Sequence, residues 1–145
     1  MSLVQDPVMN VTLDVISPFQ SDWTATSTLL SFSAINPAIG RMNANVTVND
    51  MDGDGAWMSG LHDAGSIYRA AYDGLAGTPG SASFFSAITG ASTSNQFDSA
   101  SAGASIPPWS AIAGPVTDMS EQARFRVSPN DLATTSSSYE VIPTP

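Results

Sequence analysis

The sequence predicts an all-β fold: an antiparallel β-sandwich, jelly-roll-like, with one short helix and long Gly/Ser/Ala-rich loops. Two observations carry that prediction. Apolar and polar residues alternate over several short runs, as they do in strands that bury one face. Those runs crowd into 145 residues without the intervening long helical patterns of a parallel α/β sheet. At this length the chain is expected to form one domain, residues 1–145, with a real core.

The first run is residues 8–16, with Val11, Leu13 and Val15 on one face and Asn10, Thr12 and Asp14 on the other. Together with the residues before it, the stretch from about 3 to 16 reads as an extended, Pro-punctuated N-terminal arm. Over 24–35 the clearest inward set is Leu30, Phe32 and Ala34. Residues 43–48 alternate cleanly, Ala44, Val46 and Val48 inward against Asn43, Asn45 and Thr47. Residues 64–76 place Ile67, Ala71 and Leu75 on one stripe behind a Ser66 cap, which predicts the short helix. Residues 77–105 are rich in small residues and predict one or two loosely specified strands or a long packed loop, anchored by Phe84, Phe85, Ile88 and Phe97. After Pro107-Pro108-Trp109, a short apolar strand is expected at 110–116. Residues 121–127 turn Ala123, Phe125 and Val127 inward, and Tyr139 and Val141 do the same near the end. One polar face per strand is what antiparallel sheets produce.

Composition excludes several function classes. Thirteen acidic residues against four arginines and no lysine give a net charge of −9, which disfavours nucleic acid and anionic membranes as partners. Thirty-four Ser and Thr with only 12% charged residues fit a secreted or surface protein that meets water through hydroxyls. No apolar run approaches membrane-spanning length, so membrane insertion is not expected. The N-terminus carries Asp6 and no basic segment, so it is not an intact signal peptide. Absent cysteine removes disulfides from the argument. Asn10-Val11-Thr12 and Asn45-Val46-Thr47 make Asn10 and Asn45 glycan-acceptor candidates, both on the outward face of their strands.

The most informative chemistry lies in residues 49–63. Asp50, Asp52 and Asp54 alternate with residues that include Gly53, and Gly55 follows. A tight loop with that spacing turns three carboxylates onto one centre, which suits a hard cation with oxygen ligands. The competing reading is a solvated Asp/Gly turn between strands. The segment resembles the first half of the calcium loops of EF-hands, dockerins and thrombospondin-type repeats. Leu61 stands where that pattern has its last acid, and Asp63 could supply a carboxylate from a longer loop. The resemblance implies structural calcium, with Asp50, Asp52, Asp54, the Ala56 carbonyl and Asp63 as its ligand set.

No catalytic constellation stands beside it. His62 is the sole histidine, so neither a His-based zinc cluster nor a thiol site can form. Alternate acids on one loop do not resemble the separated carboxylate pair of glycosidases. The chain is therefore read as non-enzymatic. The segment from Ser137 to Pro145 resembles the junction before the C-terminal sorting signal of bacterial exosortase substrates, with Thr144 where that signal has Glu. This implies a bacterial surface or matrix protein. Two functions remain open. In one, the chain is an extracellular structural subunit that polymerises by strand addition and is stabilised by calcium. In the other it is a calcium-dependent carbohydrate-binding module, with Trp57 stacking on a sugar ring.

Overall fold

A computed structural model describes residues 7–62, 65–76, 78, 81–93, 95–106 and 109–144. Its strands, in chain order, are β1 (Val8–Val15), β2 (Ser21–Thr26), β3 (Leu30–Ile35), β4 (Ala38–Asn49), β5 (Trp57–Gly60) and β6 (Tyr68–Tyr72). They continue with β7 (Ala82–Ala87), β8 (Gly90–Ser92), β9 (Ser99–Ser105), β10 (Ser110–Ile112), β11 (Val116–Val127) and β12 (Leu132–Pro143). All pairings are antiparallel. The all-β sandwich expected from the alternation is what forms.

The first sheet has five strands in the order β1-β12-β4, with β9 and β10 sharing the far edge of β4. The second has seven strands organised around β11. One edge of β11 takes β2 and β3, and the other takes β5 and β6, with β7 and β8 outermost. The long strands β11 and β12 follow each other in sequence yet belong to different sheets. The turn between them is therefore a crossover.

The core forms because most inward residues of both sheets, which recur at every second position, are apolar. Val46 and Val48 of β4, Val141 of β12 and Phe125 and Val127 of β11 are buried together. Burying each such side chain is worth about 1.5–3 kcal/mol. Phe84 of the second sheet stacks on Tyr139 of the first with ring centroids 5.5 Å apart. The inward assignments made for β1, β4, β11 and β12 all hold.

Four expectations need correction. Of the expected helix at 64–76, the described residues 65–76 do not form one; Tyr68–Tyr72 is β6, hydrogen-bonded between β7 and β11. Left-handed backbone at Gly65 (φ 77°), Asp73 (φ 55°) and Gly74 (φ 134°) brackets the segment. What remains between is too short to nucleate a helix, and the sheet satisfies its amides instead. Residues 77–105 are not one or two strands or a loop but contain β7, β8 and β9. Ala34 is exposed rather than inward, because a register shift between β3 and β11 turns Ile35 into the core. Finally, the N-terminal segment is no free arm over 8–15: β1 pairs with β12 along its whole length, from Val8↔Glu140 to Val15↔Ala133. Residues 3–6 lie outside the described residues.

Two glycines give a test of this packing. A Cβ on Gly60 would collide with the backbone of Gly65 and Ser66, whereas one on Gly103 would meet only the Asn45 side-chain oxygen at 2.7 Å. Gly60→Ala is expected to lower unfolding free energy by about 1–3 kcal/mol. Gly103→Ala should leave it nearly unchanged, both read by urea denaturation.

Candidate metal centre

Four connections between the sheets meet at one end of the sandwich: β1–β2, β4–β5, β8–β9 and β11–β12. Asp50 stands at the end of β4, 4% exposed, with its amide bonded to the Asp98 carbonyl of the β8–β9 connection. Its carboxylate bends the chain around itself. Oδ1 accepts from Gly53 N at 2.9 Å, and Oδ2 accepts from Gly55 N at 3.0 Å and Phe97 N at 2.9 Å. Left-handed φ values at Gly53 (87°) and Gly55 (96°) let the amides turn inward, which explains why glycine occupies both places. Burial disfavours ionisation of Asp50, but the amides of Phe97, Gly53, Gly55 and Asp52 outweigh it and hold the pKa below the usual carboxylate value.

The β11–β12 crossover brings the fourth carboxylate. Asp131 is fully buried; Oδ1 accepts from Met51 N at 3.2 Å and Oδ2 accepts from the Ser128 hydroxyl. Ser128 in turn accepts from Trp57 N at 2.9 Å, and Asn130 N donates to the Ser17 carbonyl of the β1–β2 connection at 2.7 Å. Ligand oxygens of Asp50, Asp52, Asp54 and Asp131 all lie within 4.8 Å of one another, so this group could hold a metal ion. Asp52 and Asp54 are exposed. Asp54 is pushed above the ordinary carboxylate pKa, first by its contact with Asp52, then by partial burial and by the charges of Asp52, Asp131 and Asp50. No arginine acts on Asp50 or Asp54. Among the described residues, no ion pair to an arginine offsets the local excess of negative charge.

The sequence-predicted ligand set is partly assembled. Asp50, Asp52 and Asp54 converge as expected. The Ala56 carbonyl, expected in the set, instead accepts from Thr93 N at 2.9 Å and Thr93 Oγ1 at 3.4 Å. It is drawn there because Ala56 is buried and bonds to the strand-like segment after β8. Asp63 lies outside the described residues. Asp131 was not anticipated, being remote in sequence from the loop. Its signal was the turn Ser128-Pro129-Asn130-Asp131 between two strongly alternating runs. His62 contacts the Gln122 carbonyl through Nε2 at 3.3 Å.

Trp57 is half-buried and borders a cleft of about 280 Å³ with Asp54, Gly55, Ser92, Thr93 and Ser128. Asn10 and Asn45 are both exposed on the outer face of the first sheet, among the hydroxyls of Thr12, Ser136 and Ser138.

These features define an all-β sandwich with an acidic, cation-competent loop cluster at one end. No protein-family model matches the chain, and no curated protein matches it. Among solved structures, one of infectious bursal disease virus Gx strain aligns over 92% of this chain and 37% of that chain, at 11% identity and a TM-score of 0.25. That score is too low to show a common fold, and this chain spans little more than a third of the viral one.

Asp50 is expected to be the structural keystone of the loop even without a cation. In chelator at pH 7, Asp50→Ala should lower Tm by several degrees, and Asp52→Ala by much less. Because the folded-state pKa of Asp50 is depressed, its contribution is full above the ordinary carboxylate value of 3.8 and is lost as pH falls below that value through the folded-state pKa. The wild-type chain should therefore show a steeper acid limb than Asp50→Asn in a Tm-against-pH series.

Proposed function

We propose that the chain is a non-catalytic, extracellular structural subunit whose crossover loops are tied by calcium and which associates with copies of itself. The observation that carries the reading is the convergence of Asp50, Asp52, Asp54 and Asp131 from two crossovers. An all-oxygen, multiply anionic set suits calcium among common cations. The ion would link the β4–β5 and β11–β12 connections and so brace both sheets.

Self-association has support in the edges. Among the described residues β1 pairs with β12 on one side only, and its other edge could accept a strand from a neighbour. A strand donated by a different part of the neighbouring copy would make that contact head-to-tail, so it would not close and would propagate as a filament. The surface or matrix setting rests on the hydroxyl-rich composition and the exosortase-type C-terminal resemblance. Glycans at Asn10 or Asn45 would be compatible with their exposure.

A second reading is favoured by one observation: Trp57 lines a cleft shared with Asp54, next to the acidic cluster. There the ion would keep an open position for sugar hydroxyls, and the module would bind carbohydrate in calcium.

Calcium at a hundred times its Kd should stabilise the wild-type chain by about 2.7 kcal/mol. Asp52→Ala combined with Asp54→Ala should abolish that increment while leaving the apo Tm close to wild type. An identical melting point with calcium and with chelator would remove the cation from the reading. Negative-stain microscopy in both conditions separates the two functions: filaments that fray on chelation support the subunit, and dispersed particles that bind a glycan array in calcium support the module.

A further inference from the structure

The inward register of β11 runs backward from Phe125 and Ala123 to Glu121 and Met119. Glu121 therefore enters the core. It is 1% exposed, and neither carboxyl oxygen has a hydrogen-bond partner among the described residues. Three further oxygens around it share that condition: the hydroxyls of Tyr68 on β6, and of Ser137 and Tyr139 on β12. Thr135, also fully buried, donates its hydroxyl to the Leu13 carbonyl at 3.3 Å. The group draws on both sheets, since β6 and β11 belong to one and β12 to the other. A polar cluster at the seam of a sandwich is costly unless completed, because each unpaired buried group forfeits its hydration.

No arginine reaches the carboxyl. Arg124 and Arg126 lie on the opposite face of β11, Arg126 is paired with Asp22, and Arg41 is paired with Glu140. On β6, Arg69 is directed to the Ser81 carbonyl. The titratable groups facing the site are the phenols Tyr68 and Tyr139, with Tyr72, Asp73 and Asp118 acting further along on Tyr139. These are phenols and carboxyls, so none of them brings a positive charge to the Glu121 carboxyl.

We propose that this cluster is a proton-binding site coupling the two sheets: the sandwich closes fully only while Glu121 carries a proton, and loosens when that proton leaves. A neutral carboxyl has one donor and acceptors to spare, and the hydroxyls of β12 and β6 can both give and take hydrogen bonds. The protonated cluster can thus satisfy itself across the seam. The ionised one places an unpaired charge in the core.

The electrostatics agree in direction. Burial pushes Glu121 up to about 7; the neighbouring Ser137 hydroxyl acts in the opposite direction and offsets only part of that, its oxygen standing near the carboxyl without a formed hydrogen bond. Below the ordinary value of 4.5 the proton is bound in both folded and unfolded chains. Between 4.5 and about 7 only the folded chain holds it, so stability falls as pH rises through this window and levels off above it. The folding constant should drop by about two to three powers of ten across that range.

The test is urea denaturation from pH 4 to pH 9, with chelator present so that the loop cluster binds no cation. Wild type is expected to lose stability through the window, while Glu121→Gln keeps a flat profile and is the more stable of the two at pH 8. A flat wild-type profile, or the same slope in Glu121→Gln, overturns the proposal. A second measurement needs no variant. The chain has only two glutamates, Glu121 and Glu140, so carboxyl-carbon NMR of glutamate-labelled protein shows two resonances. One midpoint near neutrality supports the proton site; two midpoints below about pH 5 overturn it.

Discussion

The fold depends on how the chain crosses between its sheets at a single end. There Asp50 receives amides from its own loop and from the β8–β9 connection. Asp131 receives the amide of Met51 and the hydroxyl of Ser128. Through Asn130 the same corner is bonded to the β1–β2 connection. Two buried carboxylates therefore set the relative position of four crossovers. The long strands that leave this corner, β4, β11 and β12, carry the central registers of both sheets. A slip of one residue in any of them would turn its apolar set outward, so the corner and the core enforce the same alignment.

That solution concentrates negative charge in a molecule with little positive charge to offset it. The four arginines serve elsewhere: Arg41 bridges Glu140 and covers Trp109, Arg126 bridges Asp22, Arg69 leans on Ser81, and Arg124 is exposed on the outer face. With no lysine available, the acidic corner and the buried Glu121 must find compensation outside the side-chain inventory. Backbone amides supply it for Asp50. In the two proposals made above, a cation serves the exposed Asp52 and Asp54, and a proton serves Glu121. The hydroxyl-rich composition has the same logic, since Thr and Ser face both water and the seam without adding charge.

How much of this was legible follows from distance along the chain. Alternation is local, so β1, β4, β11 and β12 could be read with their inward residues, and so could the Asp50–Asp54 loop. Pairing partners are not local: Asp131 joins Asp50 only through the β11–β12 turn. Within 77–105, where the sequence predicts one or two loosely specified strands or a packed loop, β9 has no readable bounds because Ala100, Ala102 and Ala104 alternate only with Ser and Gly, too small a contrast in hydropathy to stand out. β6 was misread because Ile67, Ala71 and Leu75 happen to fall at helical spacing, while the residues that break the helix act through backbone conformation. Glu121 was readable in principle. Extending the period of Ala123 and Phe125 by one step places it inward, where an acid is the least expected residue.

The geometry also bears on what kind of cation site this can be. Asp50 has its oxygens engaged by amides, and Asp131 has both of its oxygens in hydrogen bonds, so neither is free to rearrange around an ion. The adaptable ligands are Asp52 and Asp54, which stand in solvent. A calcium ion would then be held by two carboxylates already fixed by the protein's own hydrogen bonds and by two that stand in solvent. Such a site lacks the enclosed, fully anionic cage of high-affinity intracellular loops. Under the proposed function it would fall among weak calcium sites, of roughly 10⁻⁴–10⁻³ M, that are filled only where calcium is abundant. Affinity in that range would leave the loop unbraced inside a cell and braced outside it, which ties the chemistry of this corner to the extracellular setting proposed for the chain.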